Sequence, residues 1–317
     1  MKISVLVPVY GVEKYIGECA HSLFSQSYHD IEYIFVDDCS PDASVDVLRR
    51  VLDGYPERRG QVRLISHATN RGLGATRSTA LRAATGDFVL YADSDDVLMT
   101  DAVATLAQVQ QQTGADIVSG AYCRLLPDGS LGPAVTPFHG PKEATMKLLL
   151  AQNTIGHQAW ARLIRRTLHT DNGVDFVEGI NMAEDYCIMA RLLFFAKCAH
   201  TDKVVSQYRV NESSVFSGWL SAKHIGSYLS ASRVVGDFLR KHDKSHDYTF
   251  AYELGMLNTI HRALAFISME ETERLCPYHP TLPLFRTCKA MLCHKATRPL
   301  LRAAYLMVKH FYVNMNS

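Results

Sequence analysis

Apolar and polar positions alternate in blocks over the first hundred residues. ISVLVPVY is an apolar run of strand length, and EKYIGECAHSLFSQ carries its apolar residues at helical spacing. IEYIFVDD, VRLISH and DFVLYA read as further strands, and PDASVDVLRRVLDGY and LGATRSTALRAA as helices. Strands alternating with helices predict a parallel sheet covered on both faces, and near-continuous apolar strands are what such a sheet needs. Beyond residue 100 the rhythm changes. TDAVATLAQVQQQ has helical spacing, and ADIVSGAYCRLL predicts a strand followed by the Pro/Gly-rich loop PDGSLGPAVTPFHGP. KEATMKLLLAQN reads as a helix, IGHQAWARLIRRTL as a strand running into a short helix, and DNGVDFVEGINMAED as a loop. EDYCIMARLLFFAKC then predicts a helix and VVSQYRV a last strand. From Trp219 onward helical patterns dominate. The expected organisation is an α/β domain over residues 1–215 and a helical region over 216–317.

Open sheets of this kind bind ligands beyond the carboxyl ends of their strands. At those predicted ends lie Pro8, Val9 and Tyr10, then Asp37 and Asp38, then His67 with Asn70, and finally Asp93 to Asp96. The last group, YADSDDVLM, sets three carboxylates side by side. Asp and Ser favour turns, which is one account of the cluster. The other is a divalent cation, because Mg²⁺ and Mn²⁺ prefer oxygen ligands and are commonly held by one or two carboxylates plus substrate phosphates. If strand alternation persists, Asp93 and Asp95 face one way and Asp96 the other.

Composition narrows the picture only a little. The chain has 317 residues, 47% of them hydrophobic, enough core for one large domain or two smaller ones. The formal charge of +1 hides an asymmetry: residues 1–215 carry 20 basic and 25 acidic side chains, residues 216–317 carry 13 and 7. After residue 285 there are six basic residues and no acid, which points toward an anionic surface. The eight cysteines form no framework, and cytosolic thiols are the expected state. Cys276, His279, Cys288, Cys293 and His294 lack the paired knuckles of common zinc sites and read as ordinary core or loop residues. The apolar start is short, contains Pro8 and lacks a small-residue cleavage site, so it reads as a buried strand rather than a secretion signal. No stretch reaches the roughly 18 uninterrupted apolar residues of a spanning helix. A cytoplasmic protein is expected.

VPVYGVEKYI, VDDCSPD, NRGLGATR, YADSDD, WARLIRR, AED and YRVNESS, in that order, resemble the motifs of family 2 glycosyltransferases of the bacterial glycan-biosynthesis type. The resemblance covers about residues 3–215. It implies a GT-A fold and an inverting transfer from a nucleotide-diphospho-sugar, UDP-linked, to a glycan or lipid-linked glycan. Asp38 would accept from a base N–H, with Asp37 sharing that task or facing the ribose. Pro8, Val9 and Tyr10 would pack near the base, and Glu13 and Ser94 belong to the same donor region. NRGLGATR is no dinucleotide fingerprint, since it has GxG without GxGxxG. Arg77 is implied on the donor, Asp93 on the ribose or the ion's outer shell, and Asp95 on Mn²⁺ or Mg²⁺. Asp96 is expected to cap the following helix, and Asn70 to fix its own loop. Asp185 would be the catalytic base, at the tip of the inward face Ile188, Met189 and Leu192, and Glu184 a helix-dipole acid on the acceptor side. Arg209 would pair with the diphosphate, with Ser213 and Ser214 holding its loop. Trp160 would stack on an acceptor sugar or fill the core.

Gly11 and Cys39 depart from the commoner Asn and Gly of the pattern. The partners expected are the donor and the glycan acceptor, with no nucleic acid. The basic segment PLLRAAYLMVKHFYV, residues 299–313, could lie peripherally on an anionic membrane or pack as a terminal helix. Two other classes fit less well. A sugar nucleotidyltransferase needs a Gly-rich basic loop after the first strand, which VPVYGVEKYI is not. A non-catalytic carbohydrate-binding scaffold on the same fold would not need to keep Asp38, Asp93, Asp95 and Asp185.

Overall fold

The structure, a computed structural model, describes residues 1–152, 157–210, 221–294 and 296–316. Two compact units interleave along the chain. One comprises Met1–Pro137, Gln158–Gly179 and Phe195–Gly218, the other Phe138–His157, Ile180–Phe194 and Trp219–Ser317. The sequence reading divides the chain once, near residue 215. The folded chain sends two internal segments into the helical unit.

The first unit is built on β1 (Ile3–Val9), α1 (Ile16–Phe24), β2 (Ile31–Asp37), α2 (Ser44–Asp53), β3 (Val62–Ser66), α3 (Leu73–Ala83) and β4 (Phe88–Tyr91). It continues through β5 (Val97–Leu98), α4 (Ala102–Thr113) and β6 (Ile117–Leu125). After a segment α5 (Lys142–Leu150) that belongs to the other unit come β7 (Arg162–Arg165) and α6 (Arg166–Asn172), and, beyond α7 (Glu184–Phe195), β8 (Cys198–Arg209). The sheet order is β3-β2-β1-β4-β7-β6-β8-β5. β1 pairs in parallel with β2 and with β4, β2 with β3, and β6 with β8. β7 is antiparallel to both β4 and β6, and β5 to β8. The sheet is therefore mostly parallel with an antiparallel insertion. From β1 the order runs outward to β2 and β3 on one side and to β4 on the other, which opens a crevice at the carboxyl ends of β1 and β4.

β1 and β2 are buried along their whole length, as their unbroken apolar runs require. Two polar side chains within them are satisfied by each other and by one turn. Ser4 Oγ donates to Glu32 Oε1 at 2.5 Å, and Glu32 also accepts from Thr85 N at 2.6 Å, Thr85 Oγ1 at 2.8 Å and Lys2 Nζ at 2.9 Å. A Cβ on Gly86 would sit 2.7 Å from Ser4 Oγ, so only glycine lets the turn before β4 close on this pair. Burial works against the Glu32 carboxylate, but these donors outweigh it and hold the pKa at about 2. A depressed carboxyl gives stability that is present above its unfolded pKa and lost as pH falls toward the folded one. Glu32→Gln is therefore expected to flatten the loss of thermal stability between about pH 4.5 and pH 2. Melting curves over that range that fall in parallel for the variant and the wild type would count against it.

The second unit is helical: α5, α7, α8 (Ala222–His242), α9 (Thr249–Ala263), α10 (Met269–Leu275), α11 (Pro283–Leu292) and α12 (Arg298–Asn316). The helical pattern of YELGMLNTIHRALAFISM predicts one continuous element, but α9 stops at Ala263 and Ser268 begins α10, its hydroxyl accepting from Glu271 N. Gly255 lets α9 approach α5 closely, since any Cβ there would collide with the Leu150 carbonyl. Among the described residues no helix is long and apolar enough to cross a membrane.

Candidate active site

The carboxyl edge of the sheet is held together by hydrogen bonds that extend the strand ladders. Asp38 N donates to Val9 O at 2.9 Å, His67 N to Asp37 O at 2.9 Å, and Ala92 N to Leu6 O at 3.0 Å. The expected ends of β1 to β4 thus converge. Tyr10 is 51% exposed while Pro8 and Val9 are buried, so the backbone of β1 carries an open ring at its end. Tyr10 is no core aromatic.

Asp38 is nearly closed to solvent and accepts three hydrogen bonds. His67 Nδ1 lies 2.7 Å from Oδ1, Arg71 N donates to Oδ1 at 2.9 Å, and Gly72 N donates to Oδ2 at 2.7 Å. His67 Nε2 reaches Thr79 Oγ1 at 2.9 Å. The loop before α3 is therefore anchored by Asp38, not by Asn70, whose side chain is exposed. Sequence reading put His67 at this edge but missed the pairing, because it joins residues 29 positions apart. Asp37 accepts from Ser40 N at 3.0 Å. Between them Cys39 has φ +62, a left-handed conformation that costs a side-chain-bearing residue of order 1 kcal/mol or more. The positive φ explains why glycine suits this position and why cysteine is strained there. Glu13 accepts from Ala43 N at 2.9 Å at the entry of α2, so its carboxylate fastens that loop.

The acidic stretch is a turn. β4 ends at Tyr91, and Asp96 N donates to Asp93 O at 3.1 Å, so strand alternation does not reach the carboxylates. The expected cap is also absent. α4 begins six residues later, after Asp101, and Asp96 is instead buried with Oδ1 accepting from Arg209 N at 2.8 Å. Its Oδ2 has no hydrogen-bond partner among the described residues. Burial first, and then the charges of Asp93 and Asp95, push the Asp96 pKa well above the carboxylate range. The same three acids, after burial, raise the Cys19 thiol, whose sulfur lies 3.6 Å from the Asp93 carbonyl. Arg77, 2% exposed on α3, donates to Asp93 Oδ1 at 2.6 Å and lies 5.7 Å from the Phe176 ring centre. Ser94 is buried in the turn.

Arg209 is expected on a diphosphate. In this structure it clamps the turn: Nε donates to Asp95 O at 2.8 Å, Nη2 pairs with Glu18, and the guanidinium lies 5.3 Å from the centre of the Tyr15 ring. Glu18 was not singled out in the sequence, where an acid in the first turn of a helix is unremarkable. Trp160, offered as a sugar platform, is 9% exposed. Its face stacks on Tyr208 at 5.3 Å between ring centres and its edge meets Tyr122 at 4.8 Å. Of its two expected places it takes the one in the core. Ser213 and Ser214 lie outside the described residues.

In the second unit, Glu184 and Asp185 open α7. Ile188, Met189 and Leu192 are fully buried, Asp185 is partly exposed, and Glu184 is 9% exposed. Ala183, just before the helix, has φ +62. The preceding loop is tied to α8 by Ser227 Oγ, which accepts from Asn181 N and Met182 N at 3.0 Å each. Strain held in place by such bonds is characteristic of sites where a side chain must be aimed.

Among the described residues, no three His, Cys, Asp or Glu side chains form a group that could hold a metal ion. The acidic turn nonetheless suits a cation that completes its shell with a substrate's phosphates. Asp96 Oδ2 is buried there without a partner among the described residues, beside the carboxylates of Asp93 and Asp95.

A mostly parallel sheet with an antiparallel insertion and an acidic turn at its carboxyl edge defines the GT-A glycosyltransferase class. The family model for Glycosyl transferase family 2 matches residues 4–171, and the chain belongs to that family and is a glycosyltransferase. Over 277 residues it is 29% identical to the putative glycosyltransferase EpsH of Bacillus subtilis (strain 168), covering 85% of this chain and 78% of that one. Residues 1–349 of Staphylococcus aureus TarS, solved in complex with UDP, align with a TM-score of 0.64 at 20% identity over 100% of this chain and 90% of that one. The mannosyltransferase PcManGT from Pyrobaculum calidifontis, solved with GDP-Man and Mn²⁺, aligns with a TM-score of 0.55 at 17% identity over 98% and 86%. At these identities the likeness to solved structures is one of fold.

Proposed function

We propose that the chain moves a sugar from a UDP-linked donor to a hydroxyl of a glycan or lipid-linked glycan, with inversion at the anomeric carbon. The observation that carries this reading is the acidic turn after β4, where Asp93, Asp95 and Asp96 crowd together and Asp96 Oδ2 is buried with no hydrogen-bond partner among the described residues. Such a turn stabilises a cationic or cation-bridged ligand. The UDP bound to TarS and the GDP-Man and Mn²⁺ bound to PcManGT support the choice of ligand.

Tyr10 would lie against the base, and Asp37 and the Asp38-anchored loop would take its polar edge and the ribose. Arg77 would hold Asp93 toward the ribose. Asp95 would hold Mn²⁺ or Mg²⁺, which supplies Lewis-acid stabilisation of the leaving diphosphate when bound. Asp185 would take the proton of the acceptor hydroxyl as its oxygen attacks the anomeric carbon from the side opposite the diphosphate. Glu184 would favour the helix entry beside it. The reading puts the work in the cytoplasm, with peripheral contact to an anionic membrane through α12. Leu300, Met307 and Phe311, at i, i+7 and i+11, make an exposed apolar stripe there.

Thermal unfolding with UDP, GDP or no nucleotide, each with Mn²⁺, Mg²⁺ or chelator, tests the donor half. A metal-dependent rise with UDP is expected. No rise with any nucleoside diphosphate would overturn the reading, and a rise with GDP alone would replace the base. Hydrolysis across a panel of nucleotide sugars then identifies the sugar.

A further inference from the structure

Within the second unit, α9 and α12 and the turn after α9 line a cavity of about 400 Å³. His261 and Arg262 come from α9 and Arg302 from α12. Among the described residues no acid pairs with Arg262 or Arg302. Burial first, then Arg302 and Arg298, hold the His261 imidazole below the ordinary histidine range, as expected of a wall at positive potential. Leu257, Ala265, Phe266, Leu301 and Leu306 make most of the remaining wall apolar, with Asn258 the other polar side chain on it. Tyr305 also lines it, but its hydroxyl is closed to solvent and so does not face the cavity.

The volume lies in the range of small-molecule sites, roughly 300–1,000 Å³. The two chemistries of the wall restrict the occupant. A bare inorganic anion would leave the leucines and Phe266 against water. A hydrocarbon would leave two guanidinium groups unmatched. A ligand with a compact anionic head and an apolar chain satisfies both, and the fork of an arginine matches phosphate oxygens in pairs.

We propose that this cavity binds the phosphate of a single-chain amphiphile, an alkyl phosphate. The phosphate meets Arg262 and Arg302, and the chain lies along Leu257, Leu301, Leu306 and Phe266. No residue of the first unit takes part, so the site stands or falls separately from sugar transfer.

Calorimetric titration of the full chain with dodecyl phosphate below its micellar concentration tests it, with inorganic phosphate and dodecanol as the two half-ligands. Saturable one-to-one binding of dodecyl phosphate is expected, with each half-ligand at least tenfold weaker. The doubly substituted Arg262→Gln, Arg302→Gln chain should lose at least tenfold in affinity. Both arginines are exposed, so the fold should tolerate the change. The double variant should melt within a degree or two of the wild type (~1–2 °C), which separates lost binding from lost structure. Inorganic phosphate or dodecanol binding as tightly as dodecyl phosphate would overturn the proposal. So would unchanged affinity in the double variant, or no binding by the wild type.

Discussion

Asp185→Asn is expected to reduce sugar transfer by roughly 10²–10⁴-fold, the range a positioned general base contributes. The amide keeps the shape of the side chain and the first turn of α7, so the variant should fold as the wild type does. Thermal shifts with UDP and Mn²⁺ should be unchanged, because the residues assigned to the donor all lie in the first unit and Asp185 in the second. Loss should therefore appear in kcat with donor KM nearly constant. Transfer within a few-fold of wild type would remove Asp185 from the mechanism. A lost thermal shift would instead mean that its role is in binding.

Asp38→Ala should have the largest effect on stability. The substitution takes the acceptor from two backbone N–H groups and from His67, all at 2.7–2.9 Å. Hydrogen bonds to a charged group contribute about 1.5–3 kcal/mol each, partly shared and partly replaced by water at this edge. A net loss of about 3 kcal/mol is expected, which lowers the melting temperature by roughly 6–12 °C in a unit of this size. The loop 70–72 should loosen, and UDP affinity with it. Asp38→Asn, which keeps one oxygen, should fall between. An unchanged melting temperature for Asp38→Ala would show that the loop is held by other means.

These two acids show how much of the site could be read in advance. Both were singled out in the sequence, Asp38 because it ends an apolar strand and Asp185 because it tips an inward helical face. The structure changes what Asp38 does before any ligand arrives: it spends its oxygens on the neighbouring loop. Asp96 reads as a cap and is a buried carboxyl with one oxygen bonded to Arg209 N and the other without a partner among the described residues. Arg209 reads as a partner of the diphosphate, and without a ligand it grips Glu18 and the Asp95 carbonyl. Trp160 was offered to a sugar and lies under Tyr208. In each case the residue type and its place at the sheet edge were visible. The partner was not, because it comes from a distant part of the chain.

The sequence by itself determined the strands and helices of the first hundred residues, since period-2 and period-3.6 burial leave their mark on every turn of chain. It also determined which edge carries the polar chemistry, because parallel strands joined by helices bring all their carboxyl ends to one side. Only the tertiary structure decided the interleaving of the two units and the antiparallel entry of β7 between β4 and β6. It also decided the charge balance of the acidic turn and the cationic cavity between α9 and α12. Those features depend on pairings between residues far apart in the chain and on burial, and local periodicity carries no information about either.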